Sequence, residues 1–446
     1  MGDSIVKIGK IIICLLVILV LMPLTSEASI QGERQSPDVK IGLWTKQSSI
    51  FVSADAPFVL LDSDTHKIIK KYDANVKLFL VFKNKQLFLN DQPLKSQNIG
   101  IELETPDEDK GIEINKKSYR GTMEINAAVG GMTVINKILL DQYLYSVVPG
   151  EMPDSWSAEA LKAQAVAART FALYSLHKHE EDGFDLCATT HCQVYTGKKA
   201  EKENTIKAVD DTTGMVMLYN NKPIYAPFHT TSGGYTENSE DVWGTYLPYL
   251  RSVLDDDTQA PNHHWQLDVT PLEIQTKLAA VGHPIGNLQA IELSPLQKSG
   301  QNAADRTATG RIKTMRFIGD KDIVRLTGNQ VRNIFSLKST LFDISMIVPA
   351  DKKIDVPLGD YYKKEIKVDL PPYQEKNFIT DTENIRRVHG RTGEIISFSG
   401  FGWGHGLGMS QWGAKAMAEK FAVSKNGDFK DILNHYYKNI EIKKIY

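Results

Sequence analysis

One glutamate in the segment "YSVVPGEMPDSW" is placed to act as an acid or a base. Glu151 lies between Gly150 and Pro153, immediately before a long run of helix-forming residues. A carboxyl group held on a constrained turn at a helix entrance donates and accepts protons at a fixed position. The same position also suits a solvated glutamate stabilised by the helix dipole. The turn therefore offers one candidate for acid–base chemistry beside one structural interpretation.

To act as an acid near neutral pH, Glu151 needs a raised pKa. Burial beside apolar groups such as Met152, Trp156 or Trp403 would raise it. An ordinary glycosidase would need a second carboxylate, and no clear partner is visible. The candidates in "GYTENSEDVW", which suit loop caps and exposed charge better, are Glu237, Glu240 and Asp241.

Two cysteines and nearby histidines form a second candidate site. Cys187 and Cys192 lie in "DLCATTHCQVY", which also contains His191, and "SLHKHEEDGF" supplies His177 and His179. In an exported protein, a short-loop disulfide or free thiols are the structural interpretation. The alternative is a tetrahedral Zn²⁺ site that uses Cys187, His191, Cys192 and either His177 or His179. The spacing matches no standard zinc finger, so both interpretations stay open.

The segment "HTTSGGYTENS" is suited to binding a sugar. Thr230, Thr231, Ser232 and Tyr235 offer hydroxyl groups around a glycine pair, and these groups would form hydrogen bonds with the N-acetyl and hydroxyl groups of a glycan. A glycine turn with local caps is the structural alternative. We favour a role in lining a groove.

Near the C-terminus, "SGFGWGHGLGMSQWGAKAMA" alternates glycine with large residues. In a strand this register would leave one face as bare backbone and place Trp403 and His405 on the other. The bare face would meet either a glycan or a closely packed neighbour, and the pattern does not decide between them. Gln411 and Trp412 would continue the binding surface.

The composition is that of a soluble globular protein with an export signal. The 446 residues are 42% hydrophobic and 24% charged, and the net charge of −2 gives no attraction to nucleic acid. Lys7 and Lys10 precede an apolar run that ends in a small-residue stretch up to Ala28. This pattern is typical of a signal peptide, and an uncleaved signal anchor is the alternative. We expect an extracytoplasmic protein, secreted or anchored, whose only membrane contact is this segment.

The sequence predicts both strands and helices around these residues, and so an α+β fold. A β-rich N-terminal part precedes a core with a long alanine-rich helix over residues 158–179, and a mixed α/β part closes the groove. On this helix, apolar residues at spacings of three and four predict a buried stripe of Leu161, Ala165, Ala168 and Ala172. The predicted divisions are a signal segment at 1–28, a linker at 29–37, the β-rich part at 38–130, the catalytic core at 131–255, the mixed part at 256–348, an insertion or linker at 349–380, and the glycine-rich segment with C-terminal helices at 381–446.

Four segments, in this order, resemble the stage II sporulation protein D and amidase enhancer family. They are "VVPGEMPDSWSAEALKAQAVAARTFALY", "FHTTSGGYTENSEDVWG", "YLRSVLD" and "GWGHGLGMSQWGAKAMA". The segments "YRGTMEI" and "LTGNQVRNIFSLKSTLFDI" are also similar to that family, so the resemblance covers most of the chain after the signal. The stretch from about residue 349 to 380 is longer than is usual in the family.

The resemblance implies a peptidoglycan lytic transglycosylase that cleaves between N-acetylmuramic acid and N-acetylglucosamine and leaves 1,6-anhydro ends. It assigns the catalytic role to Glu151 and further roles to Lys162 and Arg169 in the following helix. A lytic cleavage needs one carboxyl group, which agrees with the lack of a clear second one. We expect Arg169 to bind the lactyl carboxylate of peptide-stripped strands, with an internal salt bridge as the alternative. No cofactor is required beyond a candidate structural zinc.

Two other functions compete with this interpretation. The amidase-enhancer branch suggests a non-catalytic wall-binding protein that stimulates an N-acetylmuramoyl-L-alanine amidase, which would then be a partner. A zinc amidase or peptidase fits poorly, because the sequence contains no H-E-x-x-H motif.

Overall fold

The first part of the chain consists of strands whose buried and exposed residues alternate. In the strand Leu78–Lys83, Leu78 and Leu80 are buried while their neighbours are partly exposed, as expected for strands with one face on a core. This computed structural model describes residues 35–296, 303–349 and 384–446. The predicted signal segment, residues 29–34 of the linker and nearly all of the 349–380 insertion lie outside the described residues.

Two sheets form this N-terminal part. The strands are β1 (Asp38–Gln47), β2 (Ser49–Ala54), β3 (Phe58–Asp62), β4 (Ile68–Tyr72), β5 (Leu78–Lys83), β6 (Gln86–Leu89), β7 (Gln92–Pro93), β8 (Asn98–Leu103), β9 (Ile112–Ile114), β10 (Lys117–Tyr119), β11 (Thr122–Ala128) and β12 (Gly131–Leu139). One sheet has the order β1-β12-β11-β8-β3-β4, and the other has the order β10-β9-β2-β5-β6-β7. Their inner faces share one buried apolar cluster.

A helical core follows directly after β12. Its elements are α1 (Leu140–Glu151), α2 (Ala158–Tyr174), β13 (Leu186–Cys187), α3 (Glu203–Asp210), β14 (Met215–Tyr219), β15 (Lys222–Pro223), β16 (Phe228–His229) and α4 (Ser239–Trp243). The short strand β13 pairs in parallel with β1 and so joins the cysteine-containing loop to the first sheet. The predicted hairpin between β14 and β15 is confirmed, with Asn220 and Asn221 at positive φ.

The alanine-rich helix α2 is shorter than predicted. The predicted stripe is confirmed, because Leu161, Ala165, Ala168 and Ala172 are all buried. The helix ends at Tyr174 instead of residue 179. The Ser175 N–H donates to the carbonyls of both Phe171 and Ala172, and His177 then adopts a φ of 66°, which a continuing helix does not allow. The chain therefore turns early and frees the histidines for the loop that follows.

The C-terminal part adds two small sheets and four helices. Its elements are β17 (His264–Val269), α5 (Pro271–Ala280), β18 (Leu288–Glu292), β19 (Thr314–Gly319), β20 (Ile323–Thr327), α6 (Gly328–Phe335), β21 (Phe342–Ile347), β22 (Ile385–Arg387), β23 (Ile395–Phe401), β24 (Met409–Ser410), α7 (Gln411–Ser424), α8 (Phe429–Tyr436) and β25 (Glu441–Lys444). One sheet has the order β17-β23-β21 and the other β20-β19-β18-β22. Helices α7 and α8 pack back onto α2.

The glycine-alternating segment is not the extended strand that its register suggested. Strand β23 ends at Phe401, and the glycines at 402, 404, 406 and 408 all have positive φ. At Gly408 a β-carbon would overlap the carbonyl oxygen of Pro227, and at Gly406 it would lie 2.6 Å from the Arg311 guanidinium. These glycines let the backbone pack closely against the protein itself. Close internal packing therefore explains most of the pattern.

The mixed α+β class is confirmed, while the predicted domain boundaries stay predictions. The described residues from Ser36 onward belong to one compact unit with three buried apolar clusters. The first lies between the N-terminal sheets, the second around α2, α7 and α8, and the third around α5, α6 and the C-terminal sheets. None of the described helices is long and apolar enough to cross a membrane.

Candidate active site

Glu151 is the last residue of α1, not a residue of an open turn. The Met152 N–H still donates to the Val148 carbonyl at 2.9 Å, but Met152 itself is extended, with φ −129° and ψ 137°. A residue before proline is disfavoured in the helical region, so Pro153 explains why the helix stops here. The proline of the motif thus fixes the carboxyl group at a helix end.

Glu151 lines a cavity of about 360 Å³, which is within the roughly 300–1,000 Å³ range of small-molecule sites. Burial raises the pKa of Glu151 above its ordinary value, and a hydrogen bond from Gln411 opposes this rise. In that bond, Nε2 of Gln411 donates to Oε2 of Glu151 at 3.2 Å. The arrangement favours a carboxyl group that holds its proton at higher pH than an exposed glutamate does.

The wall of this cavity is aromatic and polar. Its other lining residues are Phe171, Thr190, His191, Cys192, Gln193, Val194, Tyr225, Pro227, Phe228, His229, Thr230, Trp243, Arg332, Trp403, Gly404, His405 and Gln411. Of the three apolar neighbours expected for Glu151, Trp403 lines the same cavity. Met152 is buried in the second apolar cluster, and Trp156 packs edge-on against Trp412.

Glu151 is the only carboxylate among the described residues that line the cavity. The three alternative acids have partners elsewhere. Glu237 is buried and lies 3.5 Å from Arg311, Glu240 forms an ion pair with Arg251, and Asp241 lies 2.9 Å from Lys313. The cavity therefore offers chemistry based on one carboxyl group.

Three predicted substrate-binding residues reach the cavity, namely Trp403, His405 and Gln411. Trp403 is 42% exposed and presents its ring at the surface. His405 is held by the Leu407 N–H, which donates to its Nδ1 at 3.0 Å. Burial lowers the pKa of His405 to about 3, so this imidazole is neutral under ordinary conditions. The glycine-rich segment thus contributes an aromatic face and a neutral polar ring.

Lys162 and Arg169 do not line the cavity. Arg169 is fully buried, and its Nε donates to Asp141 at 2.7 Å. Its other nitrogens donate to the carbonyls of Val209 and Met215 and to the Thr212 hydroxyl. This guanidinium has no free face for a glycan carboxylate, so the predicted substrate contact is wrong and the internal salt bridge is observed.

Lys162 likewise faces charges of the protein rather than the cavity. Its Nζ lies 3.0 Å from Glu159 and 3.7 Å from Asp211. An expected substrate contact of this residue therefore has no support from its position.

The hydroxyl-rich loop agrees with the prediction at one of its four residues. Thr230 lines the cavity, but Thr231, Ser232 and Tyr235 do not. Thr231 is buried and exchanges backbone hydrogen bonds with Trp403. Ser232 donates to Asp255 at 2.7 Å, and the backbone of Tyr235 pairs with Leu254. Thr231 thus helps to position the glycine-rich segment, whereas Ser232 and Tyr235 join their loop to residues 254–255.

Sequence reasoning missed several polar residues that line the cavity, among them Thr190, Gln193, His229 and Arg332. His229 precedes the hydroxyl-rich loop, and Arg332 lies on α6 within a segment that the family resemblance covered. A single histidine or arginine in an amphipathic strand or helix gives no indication in the sequence that it lines a cavity. The chain just after α6 meets the glycine-rich segment, where the Gly404 N–H donates to the Lys338 carbonyl, and this contact brings the end of α6 to the cavity.

The predicted metal-ligand residues do come together. The ligand atoms of His179, Cys187, His191 and Cys192 all lie within 4.8 Å of one another. The Cys187 sulfur lies 3.6 Å from Nδ1 of His191, and the Cys192 sulfur lies 3.5 Å from Nε2 of His179. His177 is 71% exposed at its side chain and faces Asp185, so it is not part of the cluster. Both cysteines are free thiols in this structure.

Two thiols and two imidazoles at this separation fit a tetrahedral zinc ion, whose ligands are thiolate sulfur and imidazole nitrogen. Burial opposes ionisation of Cys187, but hydrogen bonds from Thr189, His191 and Cys192 lower its pKa to about 7. Burial raises the pKa of Cys192 to about 11. The Cys187 thiol is therefore the one that ionises more easily. The two thiols and two imidazoles together fit a zinc site. His191 and Cys192 also line the Glu151 cavity, which connects the two sites.

Comparison with known proteins places the chain among cell-wall and sporulation proteins by name. A family model described as Stage II sporulation protein matches residues 128–219. The chain is 32% identical to an amidase enhancer of Bacillus subtilis over 66% of its own length and 39% of that protein. It is 29% identical to a stage II sporulation protein D of Bacillus amyloliquefaciens, over 70% of this chain and 76% of that one.

A further relative is an uncharacterized protein of Brachyspira hyodysenteriae, 29% identical over 87% of this chain and 90% of that protein. The matched domain contains α1 and α2, and so includes Glu151. These matches confirm the resemblance that the motifs carried: residues 128–219 match the stage II sporulation protein domain, and the chain is similar to proteins named stage II sporulation protein D and amidase enhancer.

Proposed function

We propose that this protein is a lytic transglycosylase that cleaves the bond between N-acetylmuramic acid and N-acetylglucosamine in peptidoglycan glycan strands. One observation carries the proposal: Glu151, with a raised pKa, is the only carboxylate among the described residues of an aromatic-walled cavity. Hydrolysis by the usual two-carboxylate mechanisms needs a second acidic group roughly 5–9.5 Å away. A single carboxyl group that serves first as acid and then as base fits the cavity better.

The chemistry uses one carboxyl group twice. Protonated Glu151 donates its proton to the glycosidic oxygen as the bond to the anomeric carbon breaks. The resulting carboxylate then accepts the proton of the C6 hydroxyl of the same muramic acid residue, and the C6 oxygen bonds to the anomeric carbon. The products are a free N-acetylglucosamine hydroxyl and a 1,6-anhydro end, and no water is consumed. Gln411, which contacts the carboxyl group, would stabilise its ionised form between the two steps.

The names of its relatives support a role in the cell wall or in sporulation. Because peptidoglycan lies outside the cytoplasm, we place the activity there, with the chain secreted or held by its N-terminal segment. The amidase enhancer relative favours a second function, in which this protein stimulates a cell-wall amidase without cleaving glycan. The two functions are separable by experiment.

The cluster of His179, Cys187, His191 and Cys192 would hold a structural zinc ion. Bound there, the ion would fix the loop between α2 and α3, which supplies cavity residues 190–194. The ion would contribute stability, and no step of the cleavage uses it.

The test is cleavage of purified peptide-stripped glycan, with the fragments identified by mass spectrometry. The native protein should release fragments lighter by one water than hydrolysis products, and Glu151→Gln should release none. Glu419→Gln, which changes a partly exposed carboxylate on α7, is the matched control and should cleave normally. Fragments with ordinary reducing ends, or cleavage by Glu151→Gln, would refute the proposal. Stimulation of an added amidase by Glu151→Gln would support an accessory role, which is the sole function if the native protein also releases no fragments and a second function if it does.

A further inference from the structure

Arg332 is a cation without an anionic partner on the wall of the cavity. It lies on α6 and is half-buried. Its only side-chain hydrogen bond among the described residues runs from Nε to the Leu337 carbonyl at 3.3 Å, and no described carboxylate lies within ion-pair distance. The two most buried arginines, Arg169 and Arg311, each lie near an acidic residue. A half-buried charge normally has such a partner, because burial of an unpaired ion is unfavourable.

The end of α6 holds this side chain in place. Ser336 adopts the left-handed conformation, and the Leu337 N–H donates back to the Arg332 carbonyl at 2.9 Å. The same turn presents the Leu337 carbonyl to Nε. Both terminal amino groups of the guanidinium are left without a protein partner among the described residues. A guanidinium bound through Nε and free at its outer nitrogens is suited to grip a carboxylate.

A second group on the cavity wall also lacks a partner. His229 is 5% exposed, and its Nδ1 lies 3.1 Å from the Leu407 carbonyl, to which it donates. Because burial lowers the pKa of His229, the ring is neutral and Nε2 carries a lone pair. This nitrogen is buried and has no hydrogen-bond partner in the part of the chain that the structure describes. Such an orphaned acceptor indicates that a ligand supplies an N–H or O–H group.

Arg332 does not interfere with the catalytic carboxyl group. The pKa shift of Glu151 arises from burial and from the Gln411 bond, with no contribution from Arg332. Arg332 therefore does not oppose the raised pKa of Glu151. The cavity thus contains both a carboxyl group that favours its protonated form and a cation that can bind a carboxylate.

We propose that Arg332 binds the free lactyl carboxylate of a muramic acid residue and that His229 accepts a hydrogen bond from an N–H or O–H of the same strand. The inference rests on the proposed function and assigns to Arg332 the recognition that the sequence suggested for Arg169. A lactyl group is a carboxylate only where the stem peptide has been removed, because the peptide otherwise engages it in an amide. Arg332 would therefore make the protein select stripped strands.

The test measures binding, so that it does not depend on cleavage. In a Glu151→Gln background, calorimetry compares a stripped glycan oligosaccharide with the same oligosaccharide after its lactyl carboxylates are converted to methylamides. A third ligand retains its stem peptides, whose own carboxylates distinguish peptide recognition from lactyl recognition. We expect the stripped ligand to bind roughly tenfold or more tightly than the other two, as a charge-assisted bond implies.

Arg332→Ala should bring the ratio of stripped to amidated affinity close to one. Arg325→Ala, which removes an exposed arginine from β20, should keep the ratio of the unaltered protein. Circular dichroism and thermal melts verify that both variants are folded. If Arg332→Ala keeps the preference, or if the peptide-bearing ligand binds as tightly as the stripped one, the inference is wrong. Carboxylate-dependent binding by a protein that never cleaves glycan would instead refute the proposed function alone.

Discussion

At the scale of single residues, the environment of Glu151 decides what its carboxyl group does. The group ends a helix, lines an aromatic cavity and has one amide neighbour. The charge of Arg169, by contrast, is paired with Asp141 inside the protein. Glu151 and Arg169 therefore have different roles: Glu151 faces the cavity, and Arg169 holds α1 and α2 together.

Activity should fall as the pH rises through the raised pKa of Glu151, because the first step needs the protonated acid.

The raised pKa of Glu151 also predicts that the free energy of unfolding depends on pH. The folded state binds this proton more tightly than the unfolded chain, so stability is lost between the ordinary value of 4.5 and the raised pKa. Glu151→Gln should therefore melt higher than the native protein at neutral pH and show a smaller difference below pH 4.5.

Thermal melts of both proteins across this pH range measure the effect. Glu419→Gln serves as the control, since its carboxylate is partly exposed, and its melting temperature should follow the native protein at every pH. A constant difference between Glu151→Gln and the native protein would show that burial does not perturb this group.

At the scale of elements, α1 and α2 are joined by the Arg169–Asp141 ion pair. The Arg169 side chain lies under α2 and reaches the start of α1, and the Tyr446 hydroxyl also donates to Asp141. Removing one member of a buried pair leaves the other charge uncompensated. The pair therefore fixes the relative position of the two helices that frame Glu151.

We expect Arg169→Ala to destabilise the protein by about 3–5 kcal/mol. Lys162→Ala, on the same helix but partly exposed, should lose no more than about 1 kcal/mol. Urea unfolding measures both. A stable Arg169→Ala protein with altered choice between stripped and amidated glycan would contradict the structural role.

The glycine-rich segment is the second element whose geometry matters. Gly408 has a φ of +69° and no room for a β-carbon beside Pro227, whereas Gly282 has a φ of +87° and open space around it. Gly282→Ala should lose about 1–2 kcal/mol through conformation alone. Gly408→Ala adds overpacking and should lose a further 1–3 kcal/mol or so. Equal losses in urea unfolding would show that the packing around Gly408 relaxes freely.

At the scale of the whole molecule, the cavity forms where the three buried clusters meet. Cys192 belongs to the first cluster and Phe171 to the second, and Arg332 lies on α6, which packs into the third. The loop of residues 190–194 brings two of the candidate zinc ligands, His191 and Cys192, to the same wall. A metal that orders this loop would therefore stabilise the site as a whole.

We expect purified protein to contain about one zinc ion per chain, held by two thiols and two imidazoles. His179→Ala should lose the metal and melt at a lower temperature, whereas His177→Ala should keep both metal content and melting temperature. Elemental analysis and thermal melts with and without a chelator measure these outcomes. Loss of metal in His177→Ala, or a chelator that leaves the melting temperature unchanged, would argue against the cluster as a structural site.

The sequence by itself determined the local features, because local features depend on neighbouring residues. Helix formers without glycine or proline predict α2, and Asn220 with Asn221 predicts a hairpin. The sequence indicates Cys187, His191, Cys192 and one of two histidines as the donor set, and the order of the motifs indicates the resemblance to the family. The glycine alternation suggests a strand, whereas the structure has glycines at positive φ, because a period of two does not reveal the backbone angles that close packing requires.

Only the tertiary structure decided which polar residues meet one another. His179 and not His177 joins the cysteines because α2 ends early and the chain reverses. Arg169 finds Asp141 inside the protein, while Arg332, more than 150 positions further along, reaches the cavity of Glu151. Charged side chains find partners through long-range packing, which the order of residues along the chain does not show.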